Sequence, residues 1–78
     1  MTTKSYERAR MVAERMRAER ERQGLSRGRV AARLLMSEDL YSRIEEADIL
    51  EAGFWHEVPN VAWALGIPVE ALTEGSGI

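Results

Sequence analysis

Cysteine is absent from this 78-residue chain, so neither a disulfide framework nor a thiolate metal site can supplement its core. Histidine is nearly absent. His56 stands alone, and the residue four places on is Asn60, so neither a metal triad nor a His-Glu-x-x-His zinc helix is available. Long apolar runs are missing too: the longest, Val61 to Leu65, falls far short of the ~20 residues a bilayer span needs. The polar start does not read as a signal peptide. There is no Gly-rich phosphate loop, no internal repeat and no strand-like alternation. These gaps leave little for catalysis, and they point to a non-enzymatic protein with no cofactor, no metal and no small-molecule substrate.

The last absence is of one charge. From Ile44 to Ile78 there are seven acids and no Lys or Arg, net −7; Lys4 to Arg43 holds eleven cations against six acids, net +5. The overall charge of −2 therefore hides a split, which predicts a basic face and an acidic face.

What remains is helix. A loose tail at 1–4 is followed by a helix over 5–23, in which Tyr6, Ala9, Val12, Ala13 and Met16 form one apolar stripe, and Gly24 caps its end. Ser26 is an N-cap for a short second helix buried through Val30, Ala31 and Leu34, weakened by Gly28. Ser37 caps a third helix over 37–46, with Glu38 and Asp39 in its first turn and Leu40, Tyr41 and Ile44 as apolar contacts. Nothing obvious stops this helix at Glu46, so the pattern allows it to continue to about Ala52, with Gly53 as its end. Pro59 belongs in a first turn, which starts a fourth helix near His56 to Val58 and runs it to Leu65; Gly66 ends it. Pro68 opens a last short helix with Val69 and Leu72 inward, and 73–78 reads as a flexible tail. The expectation is one all-α domain at 5–72, a compact bundle of about five helices, with a helix-turn-helix at about 26–46.

At this point the residues resemble the lambda-repressor-like (Cro and phage-repressor, XRE-type) DNA-binding domains. Arg17-Ala-Glu-Arg-Glu-Arg-Gln-Gly-Leu-Ser26 looks like the end of that family's first helix and the cap of its second. Val30-Ala-Ala-Arg-Leu34 is similar to its second-helix core, and Ser37-Glu-Asp-Leu-Tyr-Ser-Arg-Ile-Glu45 to its recognition helix. Val61-Ala-Trp-Ala-Leu-Gly-Ile67 and Val69-Glu-Ala-Leu72 resemble its last two helices. Leu35 departs from the pattern, standing where the family usually has Gly, at a cost of about 1 kcal/mol if the backbone there is left-handed.

The resemblance implies a cytoplasmic regulator, bacterial or phage-encoded and nucleoid-associated when bound, with duplex DNA as partner. It further implies a homodimer with two recognition helices in successive major grooves. Carried over residue by residue, Ser26 and Arg27 approach phosphate, while Ser37, Glu38, Asp39, Ser42 and Arg43 face base edges. Glu38 or Asp39 can accept from cytosine N4; alternatively both merely complement the helix dipole. Arg20 and Glu45 are implied as an ion pair that fixes the third helix to the first. Otherwise Glu45, Glu46, Asp48 and Glu51 read most simply as a solvated helix face. Phe54, Trp55 and Trp63 are core aromatics or, in part, a homodimer contact, since a domain this small cannot readily bury all three. The rival expectation is a protein-interaction module on the same scaffold, an antirepressor or antitoxin-like partner.

Overall fold

A computed structural model describes residues 3–49 and 52–74 of the chain. It contains α1 (Thr3–Arg22), α2 (Arg27–Arg33), α3 (Glu38–Glu45), α4 (Ala52–Leu65) and α5 (Glu70–Thr73), and no strand among the described residues. The fold is all-α, five helices packed around one core. The expected tails at 1–4 and 73–78 fall partly on residues 1–2 and 75–78, which lie outside the described residues; Thr3, Lys4 and Thr73 are helical.

α1 buries Ala9, Val12, Ala13, Met16 and Arg20 along one stripe, each three or four residues from another member, as an amphipathic helix requires. Tyr6, expected on that stripe, is 40 % exposed and accepts a bond from Arg10 instead. α4 lays a second stripe over the same core: Phe54, Val58, Val61, Ala62 and Leu65. α2 and α3 cross against each other below these two helices, contributing Val30, Ala31, Tyr41 and Ile44. Leu72 of α5 closes the far end against α1.

Four of the five helices stop in one way. The amide two residues past the last turn reaches back five residues, and the residue between takes a left-handed backbone. After α1 this residue is Gly24, with Leu25 N–H bonded to Arg20 C=O at 3.0 Å. After α4 it is Gly66, with Ile67 N–H on Ala62 C=O. After α2 it is Leu35 at φ 58°, and after α3 it is Ala47 at φ 57°.

That last stop corrects the sequence reading. α3 ends at Glu45 rather than running on towards Ala52: Ala47 turns the chain, Asp48 N–H bonds to Arg43 C=O at 2.7 Å, and the Ala47 methyl is buried in the core. Gly53 lies in the first turn of α4 and ends nothing. Starting α4 near His56 is corrected as well, since it begins at Ala52. Pro59 therefore sits in the helix interior, where it cannot donate to the Trp55 carbonyl. Burial of Phe54 explains the early start: the added turn seats a ring at the centre of the core, a gain of roughly 1.5–3 kcal/mol.

Candidate nucleic-acid interface

α3 is held from behind by one buried carboxylate. The Glu45 side chain has no exposed surface and accepts four bonds: Arg20 Nε at 2.8 Å and Nη2 at 2.9 Å, Arg27 Nε at 2.8 Å, and the Tyr41 hydroxyl at 2.7 Å. Arg20 also donates to the Leu25 carbonyl at 2.8 Å, so one guanidinium joins α1, the linker into α2 and the end of α3. Burial pushes the Glu45 carboxyl up, but Arg20, Tyr41 and Arg27 together outweigh it and hold the group below the ordinary carboxylate range. Tyr41 moves the other way: burial and the bond to Glu45 raise its phenol far above its ordinary value. Glu45 thus belongs to the interior, not to a solvated face.

In front, α3 is open. Ser37, Glu38, Asp39 and Arg43 are exposed and Ser42 is half-buried, while Tyr41, Ile44 and Glu45 face inward. Both expected caps are formed: Ser37 Oγ accepts from Leu40 N–H at 3.1 Å and Ser26 Oγ from Arg29 N–H at 3.1 Å. Each hydroxyl satisfies an amide that would otherwise be orphaned at a helix start.

The electrostatic surround is not the basic platform that the charge split predicts. Arg27, expected at phosphate, is bonded by Glu45 and by Glu46 Oε2 at 3.0 Å. Arg43 Nε lies 3.4 Å from Asp48 Oδ2. The Glu38 carboxylate packs so closely on the start of α2 that a Cβ on Gly28 would lie 3.1 Å from its Oε1. Arg27 and Arg43, the two cations that border α3, are thus already beside a carboxylate of the chain itself. Around α3 the acids Glu38, Asp39, Glu46 and Asp48 outnumber Arg27 and Arg43, so this rim is negative. Among the described residues, Arg17 and Arg29 are arginines held by no ion pair or side-chain hydrogen bond.

The three aromatics separate. Phe54 is fully buried, which corrects its candidacy for a homodimer contact: its ring belongs to the chain's own core. Trp55 is half-buried, edge-on to Phe54 with ring centroids 5.0 Å apart, and the Arg8 guanidinium lies 5.6 Å over its ring. Trp63 is 72 % exposed.

These features, a short capped helix set across a second one and braced by an Arg–Glu pair, are those of a helix-turn-helix unit. The chain belongs to the helix-turn-helix domain family, which matches residues 12–74, in keeping with the lambda-repressor-like resemblance of its motifs. No curated protein and no solved structure matches the chain. Helix-turn-helix units are DNA-binding architectures, with the second helix placed in the major groove. No helix among the described residues is long and apolar enough to cross a membrane.

Sequence reasoning missed Glu46 and Asp48 as interface residues, because it placed them on a continuing helix. Nothing in Glu46-Ala47-Asp48 marks a turn by residue type, so no signal in the sequence separates them from the helix. Glu51, placed on the same face, lies outside the described residues.

Proposed function

We propose that this protein is a sequence-specific DNA-binding transcriptional regulator, non-enzymatic and cytoplasmic, which acts as a homodimer and lays α3 in the major groove. The observation that carries the reading is the asymmetry of α3: one side is locked by the Glu45 network, and the other, with Ser37, Glu38, Asp39 and Arg43, is exposed to solvent. A reading helix needs both, because base discrimination depends on fixed donors and acceptors.

In this arrangement Arg43 supplies the donor for guanine or phosphate, releasing Asp48 as it does so. Ser37 and Ser42 supply adaptable hydroxyls. Glu38 and Asp39 accept from cytosine N4 and repel misplaced phosphate, so they select more than they attract. Ser26 and Arg27 approach the backbone at the start of α2, and Arg27 must trade Glu46 for phosphate to do it. The acidic rim implies modest affinity with a shallow salt dependence, since few cations are left to release counterions.

Selection from a randomised duplex pool at about 50 mM salt, followed by fluorescence anisotropy, tests this. The expected result is an enriched site bound at least tenfold more weakly by Arg43→Ala. Failure to retain any duplex at low salt overturns it.

A second reading is favoured by the negative rim: a protein-interaction module on a helix-turn-helix scaffold, of the antirepressor or antitoxin-like kind. One stoichiometric protein partner together with no duplex affinity would select it.

A further inference from the structure

Among the described residues, the two most exposed large apolar side chains lie beside α3, not on it. Leu35 is 94 % exposed and Trp63 is 72 % exposed. Between them runs an open groove of about 500 Å³, floored by Leu34, Met36 and Leu40. Exposing two large apolar side chains together is unusual for a monomer. Leu35 adds a second cost, because its φ of 58° is a conformation that glycine adopts without strain. A strained backbone that displays a leucine to solvent is understandable when that leucine has a place to go.

The groove carries its own pair of opposite charges. Arg33 and Glu57 both line it, and neither has an ion-pair partner among the described residues. Arg33 spends one nitrogen, Nη1, on the Ala64 carbonyl at 2.8 Å, and Glu57 accepts only from the Asn60 amide at 3.1 Å. A face with projecting apolar groups, a hollow between them and one charge of each sign is suited to its own copy. In a two-fold contact each residue meets its counterpart's neighbour, so Arg33 of one copy can face Glu57 of the other, twice. Leu40 lies at the edge of α3 that borders the groove, whereas Asp39, Ser42 and Arg43 do not line it, so closure leaves the reading side of α3 open.

We infer that the Leu35–Trp63 groove is a homodimer interface, occupied by the same groove of a second copy with Leu35 and Trp63 as apolar anchors and Arg33 set against Glu57. This inference rests on the proposed homodimeric regulator and assigns the surface through which it pairs.

Sedimentation equilibrium, with tryptophan emission followed on dilution, tests it. The wild-type chain is expected to dimerise, with emission shifting to the blue as Trp63 is covered. Leu35→Gly is the decisive single change: it relaxes the backbone, so the fold is kept, yet it is expected to weaken the dimer at least tenfold. Trp63→Ala should do likewise. The charge test needs two variants. Arg33→Glu places two acids in each groove and Glu57→Lys two cations, so each alone is expected to be monomeric. Mixed in equal amounts, they should form a heterodimer, because both cross-pairs are then attractive. Unchanged dimerisation of Leu35→Gly overturns the assignment, as does a mixture that fails to associate. A wild-type chain that stays monomeric at several hundred micromolar also overturns it and leaves the groove to a different protein. Duplex binding measured on the same samples separates the two levels. A monomer that binds duplex sinks the interface and spares the regulator. A dimer that follows the charge rules but binds no duplex does the reverse.

Discussion

Leu35 and Ala47 show how much one backbone angle decides. Both occupy the left-handed position that ends a helix, where Gly24 and Gly66 stand in the two other helix ends of this kind. A side chain there costs about 1 kcal/mol, because Cβ crowds the carbonyl. Leu35→Gly should recover roughly that amount within one copy, raising the melting temperature by about 4–8 °C in a domain of this size, read by circular dichroism at a dilution where wild type and variant are both monomeric. At Ala47 the same change should gain less, because the buried methyl also fills the core. Arg20 illustrates the opposite sign. Its Glu45 partner is wholly buried, so Arg20→Leu strands a carboxylate, at a cost of about 3–5 kcal/mol. Urea denaturation would measure that loss; a change under 1 kcal/mol would mean that Arg27 and Tyr41 satisfy Glu45 on their own.

At the scale of elements, the turn from Glu46 to Ile49 sets the character of the interface more than α3 does. It carries Glu46 to Arg27 and Asp48 to Arg43, so one acidic turn occupies both cations that border the reading side. Both pairs are partly exposed and weak enough for a phosphate to displace. Glu46→Gln with Asp48→Asn should therefore bind duplex at least tenfold more tightly and show a steeper salt slope, by anisotropy between 50 and 200 mM salt. Equal affinity in the double variant would show that these carboxylates do not compete with DNA. The starts of α2 and α3 were legible in the sequence, because Ser26 and Ser37 announce their caps by residue type. The end of α3 was not: alanine in a left-handed turn has no compositional signature, and only burial of its methyl makes the conformation worthwhile. α4 was half hidden for a related reason. Gly53 and Pro59 argue locally against a helix, and packing of Phe54, Val58 and Val61 overrides them. Pro59→Ala should restore the bond to Trp55 and stabilise the domain, by up to ~3 kcal/mol in urea.

For the whole molecule, the charge split along the chain does not survive as a split in space. Folding brings Glu45, Glu46 and Asp48 from the acidic half onto Arg20, Arg27 and Arg43 of the basic half. The fold spends much of the sequence asymmetry on internal pairing, and the pairing has a pH signature with two limbs. Glu45 titrates below its ordinary value of 4.5 in the folded chain. The unfolded chain then binds the proton more tightly, so the stability that Glu45 contributes is complete well above pH 4.5 and is lost as pH falls through that value and below. Tyr41 gives the other limb. Its folded phenol holds the proton more tightly than the ordinary value of 10.0, so its contribution is intact below pH 10 and declines as pH rises beyond it. A stability plateau between about pH 5.5 and 9.5 is the expected profile, from urea midpoints at a series of pH values. Glu45→Gln should flatten the acid limb and Tyr41→Phe the alkaline one, each also lowering the plateau, because a buried partner loses a bond. If the acid limb is unchanged in Glu45→Gln, the proton uptake belongs to exposed carboxylates, and the brace behind α3 is not what acid dismantles first.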